Sequence, residues 1–176
     1  VRACTRKGID AVAGMEFREK GRLLYIILAR NLKGFGRINE FRSRYNINKT
    51  SLPRYFPVCE NTFAVYPLEA QQKPGLNEYT GIMASQLHLP EAAAILKETP
   101  GRVVALHPVS FSEAKGYQLH LHLRAIDNNI LLSMLKAGDT GKPGDIMLPP
   151  SLLRHKFAAA GSIIDNTIGL LDKCSI

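Results

Sequence analysis

Apolar residues change their spacing along the first half of the chain, and each spacing predicts a different element. Residues 5–20 have a mixed pattern that predicts a short helix or irregular structure. The apolar run 23–28 predicts a buried strand, with a helix continuing to residue 31 as the alternative. Residues 38–45 predict a basic helix, residues 61–68 alternate as in an edge or opening strand, and residues 70–75 predict a loop.

The next part of the chain predicts further helices and strands. We expect helices over residues 76–87 and 90–97, the second opened by a proline, and a short buried strand over residues 103–106. Residues 117–123 alternate more regularly than any other segment and predict a strand. Its apolar side chains would share one face, and the opposite face would carry Gln118, His120 and His122.

The last part of the chain is predicted to be mainly helical. Helical spacing covers residues 126–135, and a last strand is expected over residues 144–148, before two prolines. Two helices follow, over residues 151–159 and 162–173, and Ser162 with Asp165 predicts a capping box at the start of the second one.

These elements predict an α/β (α+β) protein in three parts. A basic N-terminal subdomain would cover residues 1–58, an α/β domain residues 59–150, and C-terminal helices packed on that domain residues 151–176. Pro53 and Pro57 mark the first boundary, because prolines interrupt regular structure there.

The positive charge of the chain is concentrated near its N-terminus. The net charge is +8, and the sequence pI is about 9.6. Residues 1–54 hold 13 basic and 4 acidic side chains, 13 − 4 = +9, so the remaining residues sum to −1. Such a surface attracts phosphodiester backbones by counterion release, which predicts DNA as the partner of this first third. The alternatives are a solubilising face or a face that binds acidic proteins.

Cysteines and apolar runs exclude several classes of protein. Cys4, Cys59 and Cys174 are an odd number at wide spacing, so the sequence predicts neither a disulfide framework nor a zinc site. The longest apolar run, residues 23–29, is far shorter than the roughly 18 residues that a membrane span requires. No apolar region typical of a signal peptide follows the first basic residues, so the expected compartment is the cytoplasm.

Arg124 and two histidines are the first candidates for chemistry. A strand that ends at Arg124, followed by a helix, would place a guanidinium beside free backbone N–H groups, where a phosphate binds. The alternative is that Arg124 caps the sheet edge or pairs with Asp127. His120 and His122 on one strand face have a spacing that suits one metal ion, but no third ligand is identifiable, and two polar residues on a solvated sheet face are the favoured explanation.

Several segments resemble the ParB/sulfiredoxin superfamily in their order. They are residues 63–69, 108–111, 116–125, 137–138 and 144–148, so the resemblance covers about residues 61–148. Members present a Gly-x-x-Arg turn between a strand and a helix, and nucleotide phosphates bind there. Arg124 matches the arginine and Ala125 the small residue after it, whereas Leu121 stands in place of the glycine. A second Gly-x-x-Arg, from Gly34 to Arg37, lacks the upstream elements.

Within this superfamily the chain looks most like the plasmid fertility-inhibition factors of the oncogenic-suppression type. The resemblance implies a ParB/sulfiredoxin-like domain, ATP as cofactor, and both ATP hydrolysis and DNA cleavage. Chemistry of this kind usually also needs a divalent metal, for which Mg²⁺ is the candidate. The nucleotide-binding candidates are Arg124, Lys115, His120 and Leu121. The catalytic candidates are Arg124, Glu69, Glu113 and His122, with His120 as an alternative to His122.

The sequence therefore predicts an ATP-dependent or ATP-regulated nuclease that blocks conjugative or type IV secretion DNA transfer. Two alternatives belong to other functional classes, in which the protein is not an enzyme. One is a non-catalytic DNA-binding or partition-like module on the same scaffold. The other is an inhibitor that docks on an acidic face of a type IV secretion component and uses the basic third for steering.

Overall fold

The computed structural model describes residues 2–70 and 73–175, which form two compact units. Unit 1 is formed by the described residues of Val1–Leu106 and Phe157–Ile176, and unit 2 is His107–Lys156. The predicted parts 1–58 and 59–150 both contribute strands to the sheet of unit 1, so the compact units follow other boundaries than the predicted ones.

Unit 1 contains a mixed five-stranded sheet among the residues described. Its strands are β1 (Gly14–Glu19), β2 (Arg22–Ala29), β3 (Thr62–Pro67), β4 (Glu78–Met83) and β5 (Val103–Leu106). Its helices are α1 (Arg2–Thr5), α2 (Leu32–Asn48), α3 (Pro90–Glu98) and, after unit 2, α6 (Ser162–Leu171). The strands lie in the order β1-β2-β3-β4-β5, where β1, β2 and β3 pair antiparallel and β3, β4 and β5 pair parallel. The mixed α/β class predicted from the sequence is confirmed.

Several strands and helices of unit 1 agree with the pattern of the sequence, and two do not. The strands predicted over residues 23–28 and 103–106 are confirmed, as are the helices over 38–45 and 90–97. The strand over residues 61–68 exists as β3, but it is the central strand and not an edge. The helix predicted over residues 76–87 is wrong because that segment contains β4, and residues 5–20 contain β1.

A tight turn joins β1 to β2. Lys20 and Gly21 both have positive φ, 50° and 80°, as the two central residues of a type I′ hairpin turn require. On β1 the side chains alternate, so that Phe17 is buried while Glu16 and Arg18 are exposed and paired with each other at 2.9 Å. This alternation is the signal for a strand that the mixed overall pattern of residues 5–20 concealed.

An aromatic core fills the space between α2 and the sheet. It consists of Phe17, Tyr25, Ile27, Ala29, Ile38, Phe41, Phe56, Ala64 and Tyr66. The rings of Phe17 and Phe41 meet edge to face with centroids 5.4 Å apart, a geometry that adds to the energy of burial. The Tyr66 hydroxyl accepts a hydrogen bond from the Phe56 N–H at 3.2 Å, and burial raises the pKa of Tyr66 to about 12.

A second core and a capped sheet edge hold α6 on the opposite face. Leu170 and Cys174 pack against Phe63, Val65, Tyr79 and Val104. The Thr167 hydroxyl accepts a hydrogen bond from the Ala105 N–H at 2.8 Å, and the Asn166 amide donates to the Val103 carbonyl at 2.9 Å. These side chains satisfy backbone groups of β5, which is the last strand of the sheet and would otherwise present an open edge. The helix predicted over residues 162–173 is thus confirmed, although α6 begins without a side-chain cap, so the Ser162 capping box is wrong.

The start of α2 approaches the turn before β3 so closely that only glycine fits. A Cβ built on Gly34 would lie 1.9 Å from the Asn61 carbonyl oxygen, which is far inside van der Waals contact. The Asn31 side chain caps α2 by accepting from the Gly34 N–H at 3.0 Å, and its amide donates to the Asn61 side chain at 2.8 Å. A Cβ built on Gly36, by contrast, would have no atom within 4 Å. Close packing therefore explains the first glycine of the Gly-x-x-Arg sequence at residues 34–37.

We predict that Gly34→Ala destabilises the protein by about 3 kcal/mol, because its methyl group overlaps a backbone carbonyl that cannot move freely. The control is Gly36→Ala in the same helix, which should stabilise the protein by about 0.5–1 kcal/mol, since alanine costs less backbone entropy than glycine in a helix. Urea denaturation followed by circular dichroism measures both. Equal stability of the two variants would contradict the proposed packing.

Unit 2 has little regular structure apart from two helices. They are α4 (Gly116–Asp127) and α5 (Pro150–Lys156). Phe111 forms an isolated bridge with Ile146, and the His107 Nε2 lies 2.9 Å from the Ile146 carbonyl oxygen. The strand predicted over residues 144–148 is therefore wrong, and a single bridge takes its place. A helix does form within the predicted range 151–159, as α5.

The strand predicted over residues 117–123 is wrong because the segment is helical. The alternating Leu and His residues also fit a helical pattern, in which Leu119 and Leu123 share an exposed face with Ile126. The side chains of the opposite face pack within unit 2, where Tyr117 lies 5.8 Å from the Phe111 ring. The predicted helix over residues 126–135 is also wrong, since α4 ends at Asp127.

No helix in the described part of the chain is long and apolar enough to cross a membrane.

Candidate functional site

The predicted site residues are divided between the two units. Glu69 lies in unit 1, in a single 3-10 turn that follows β3. The other candidates lie in unit 2, on α4 or in the turn before it. They are Glu113, Lys115, His120, Leu121, His122 and Arg124.

Arg124 lies in the last turn of α4 and not between a strand and a helix. Its Nε donates to the Asp139 carbonyl at 2.7 Å, and one terminal nitrogen donates to the Asp127 carboxylate at 2.6 Å. The predicted phosphate-binding turn is therefore wrong, and the alternative, a pair with Asp127, is observed. Two of the donors of Arg124 are thus used within unit 2: one pairs with Asp127 inside α4, and the other connects α4 to the segment after it.

The two histidines lie on different sides of α4. Neighbours two apart are about 200° apart around a helix, so His120 and His122 cannot share the face that a strand would give them. His120 Nε2 accepts the Gly141 N–H at 3.0 Å, which places the ring proton on Nδ1, while His122 Nδ1 lies 2.8 Å from the Gln118 carbonyl. Within residues 2–70 and 73–175, no three His, Cys, Asp or Glu side chains are grouped as metal ligands.

The remaining candidates of unit 2 are near the start of α4. Lys115 is the N-cap residue, and its side chain makes no capping hydrogen bond. Glu113 contributes its backbone carbonyl, which accepts the Gly116 N–H at 3.0 Å, while its side chain is exposed. Leu121 is half-buried on the helix and does not line a turn. These residues are close in sequence, but the structure does not bring their functional groups together at one point.

Glu69 connects the carboxyl ends of two parallel strands. Its Oε1 accepts from the Gln86 side-chain amide N–H at 2.5 Å, and the side-chain Oε1 of Gln86 in turn accepts the Met83 N–H at 2.8 Å. Gln86 is only 7% exposed, and both the N–H and the C=O of its side-chain amide make hydrogen bonds inside the protein, as buried polar groups usually do. In open α/β sheets ligands bind beyond the carboxyl ends of the strands, which is where Glu69 lies.

A basic surface lies on α2 and on the turn between β1 and β2. We define it by the exposed cations of these elements, Lys20, Arg22, Lys33, Arg37, Arg42, Arg44 and Lys49. On α2 the buried stripe is Gly34, Ile38 and Phe41. Packing of this stripe on the sheet leaves the charged side chains of the helix in solvent.

The path of α2 over the sheet brings its C-terminal cations to the same end of unit 1 as the cations of the hairpin turn. Gly34 lies against Ala29 at the end of β2, whereas Phe41 packs on Phe17 near the turn. The helix therefore runs antiparallel to β2. From Gly34 to Lys49 it rises about 22 Å, which matches the roughly 23 Å that β2 covers between Ala29 and Arg22. The C-terminal cations of α2 thus lie level with the hairpin turn.

Acidic side chains neutralise only a small part of the basic surface. Arg37 and Arg44 both pair with Glu40, each at 3.2 Å, so one carboxylate serves two guanidinium groups. Lys20, Arg22, Lys33, Arg42 and Lys49 have no acidic partner within the described part of the chain. Exposed pairs of this kind contribute little to stability. The five unpaired cations leave a surplus of positive charge on this surface, which would attract an anion.

No protein family matches the chain, and no curated protein is significantly similar to it. The class that the fold itself defines is a mixed α/β protein with a five-stranded sheet.

We predict that Arg124→Ala loosens the segment that follows α4, because it removes the hydrogen bond to the Asp139 carbonyl. The loss should be about 1–2 kcal/mol in local opening free energy, measured by hydrogen exchange at the amides of residues 138–141. Asp127→Asn is the matched control: it removes only the exposed ion pair and should cost less than about 1 kcal/mol. Unchanged exchange in Arg124→Ala would refute the structural role.

Proposed function

We propose that this protein binds DNA through the basic surface of unit 1. The observation that carries the proposal is the convergence of the C-terminal α2 cations and the hairpin cations at one end of the sheet, where, among the described residues, Glu40 alone pairs with both Arg37 and Arg44. Phosphates of a nucleic-acid backbone are the extended anion that such a surface suits.

The arrangement of cations on α2 supports contacts to a phosphate backbone. Lys33, Arg37 and Arg44 follow one another at four and seven residues, which keeps them within about 40° around the helix axis. Arg42 lies on another side of the helix, and Lys49 is the C-cap residue directly after it. Long cationic side chains on the surface of a helix bind phosphates without reading base edges, so the binding is expected to be independent of sequence.

We predict that the variant Arg42→Gln, Arg44→Gln, Lys49→Gln loses most of its affinity for double-stranded DNA. Each lost phosphate contact lowers the slope of log affinity against log salt by about 0.9, so the slope should fall by about 2–3. Fluorescence anisotropy with a labelled duplex, over a salt series, measures both quantities. Two duplexes of unrelated sequence should give the same affinity.

A matched variant in unit 2 controls for the change in net charge. The triple variant Lys136→Gln, Lys142→Gln, Lys156→Gln removes the same charge from exposed positions outside the basic surface. It should retain the wild-type salt slope. Equal weakening by the two variants would show that net charge alone drives binding, and the assignment of the interface to α2 would fail.

A second candidate adds catalysis and extends the resemblance to fertility-inhibition factors of the ParB/sulfiredoxin superfamily. In this proposal the chain uses ATP and a divalent metal to cleave DNA and so blocks conjugative transfer. The position of Glu69 at the carboxyl ends of β3 and β4 supports it, because a carboxylate there suits proton transfer or metal binding. The internal hydrogen bonds of Arg124 and the scattered unit 2 candidates weigh against it.

The catalytic proposal predicts cleavage of plasmid DNA by the purified protein in the presence of Mg²⁺ and ATP. Glu69→Gln should then lower the rate at least about a hundredfold, as expected for a lost acid–base group, and leave DNA affinity unchanged. Asp172→Asn, an exposed change of the same charge on unit 1, should have no effect on the rate. Absence of cleavage by wild-type protein that binds DNA would leave the binding module as its function.

The salt dependence also separates DNA binding from docking on a protein of a secretion system. Phosphate contacts weaken severely at about 0.5 M salt, so a DNA-binding protein loses its partner there. A complex that persists at this salt with an acidic secretion component would instead favour the inhibitor hypothesis.

A further inference from the structure

A cavity of about 290 Å³ lies within unit 1, between α3 and the parallel half of the sheet. Its lining residues are Leu68, Lys73, Thr80, Glu91, Ala94, Ile95 and Glu98. Leu68 and Thr80 are buried and form the floor, whereas the charged residues are exposed and form the rim. The cavity is thus open to solvent at the α3 surface and closed by β4 below, and its volume is close to the lower limit for small-molecule sites.

The floor of this cavity contains a hydroxyl group that no side chain in the described part of the protein satisfies. Thr80 is 4% exposed, and its side chain shares a sheet face with Tyr66 and Val103, opposite to the face on which Tyr79 packs. The other buried polar side chains of the sheet region, Thr62 and Gln86, both make hydrogen bonds. A buried hydroxyl without a partner costs free energy that a bound polar group would recover.

The rim of the cavity has a net negative charge, because its single lysine is paired with one of its two carboxylates. Lys73 pairs with Glu98 at 3.0 Å, which leaves Glu91 as the carboxylate without an ion-pair partner among the described residues. Glu91 and Glu98 are seven residues apart, so both lie on the same side of α3, and Ala94 and Ile95 lie between them. An apolar wall with a negative charge at one side and a hydroxyl at the bottom is complementary to an amphiphilic cation.

We propose that this cavity binds a small organic ammonium ion with an apolar aliphatic or aromatic body. The ammonium group pairs with Glu91, the body packs against Leu68 and Ile95, and a polar atom of the ligand bonds to the Thr80 hydroxyl. The negative rim disfavours carboxylates and phosphates, so this site is separate in its chemistry from the basic surface and does not depend on DNA binding.

The test uses three probes of nearly equal size that differ in charge: phenethylamine, phenethyl alcohol and hydrocinnamate. Each is titrated into the ¹⁵N-labelled full chain and followed by two-dimensional NMR. We expect saturable shifts for the amine, concentrated at the amides of Thr80 and of residues 91–98, and at least about tenfold weaker binding of the alcohol and the acid. Equal affinity for the three probes, or no saturable shift with the amine, would overturn the proposal.

Three variants assign the recognition to the cavity. Glu91→Gln should weaken binding of phenethylamine at least about tenfold, and Thr80→Val, which replaces the hydroxyl by a methyl group, should weaken binding of tyramine, whose phenol supplies the second polar atom, about threefold or more. Asp172→Asn makes the same change of charge as Glu91→Gln on an exposed position outside the cavity and should change affinity by less than about twofold. Thermal melts verify that each variant is folded. If Glu91→Gln and Asp172→Asn behave alike in folded protein, the assignment to this cavity is refuted.

Discussion

Packing of α2 on the antiparallel half of the sheet is the interaction on which both the core and the charge distribution of unit 1 depend. The approach of Gly34 to the Asn61 carbonyl fixes the start of the helix, and the Phe41 ring fixes its middle against Phe17. Because these two contacts hold the start and the middle of α2 on the sheet, the cations on the helix are held at defined places. A loop with the same composition would have to lose conformational entropy before it could present them to an anion.

The sequence predicted correctly those elements that carry a strong local signal. The apolar run that became β2 is short, which favoured a strand over the alternative helix, and Pro90 at the first turn of α3 is favoured at that position of a helix. The basic helix was predicted from the spacing of Ile38, Phe41 and Tyr45, and its buried residues confirm that stripe in part. The asymmetry of charge was equally visible, since it needs no knowledge of the fold.

The failures come from segments in which two periods coexist. The alternation from Tyr117 to Leu123 satisfies a strand, yet the same residues give a helix with Leu119 and Leu123 on one exposed side. Once that segment is helical, Arg124 moves from a turn to the end of α4, and the predicted phosphate site disappears. Site predictions that depend on a turn are therefore only as secure as the elements on either side of it. No pattern in the sequence indicated the cavity, because its floor and rim come from three separate segments.

The two candidate sites of unit 1, the basic surface and the cavity, lie on the same face of the sheet and differ in the sign of their charge. Thr80 and Tyr66 are register partners on neighbouring strands, so α2 and α3 cover the same face. Within its bounds α2 carries four cations and one carboxylate, whereas α3 carries one lysine and two carboxylates. A polyanion that approaches this face is attracted to the α2 half and repelled from the acidic rim around Glu91. The two halves of this face therefore favour ligands of opposite charge, which is why the proposed DNA-binding surface and the proposed cation site can lie side by side on one sheet.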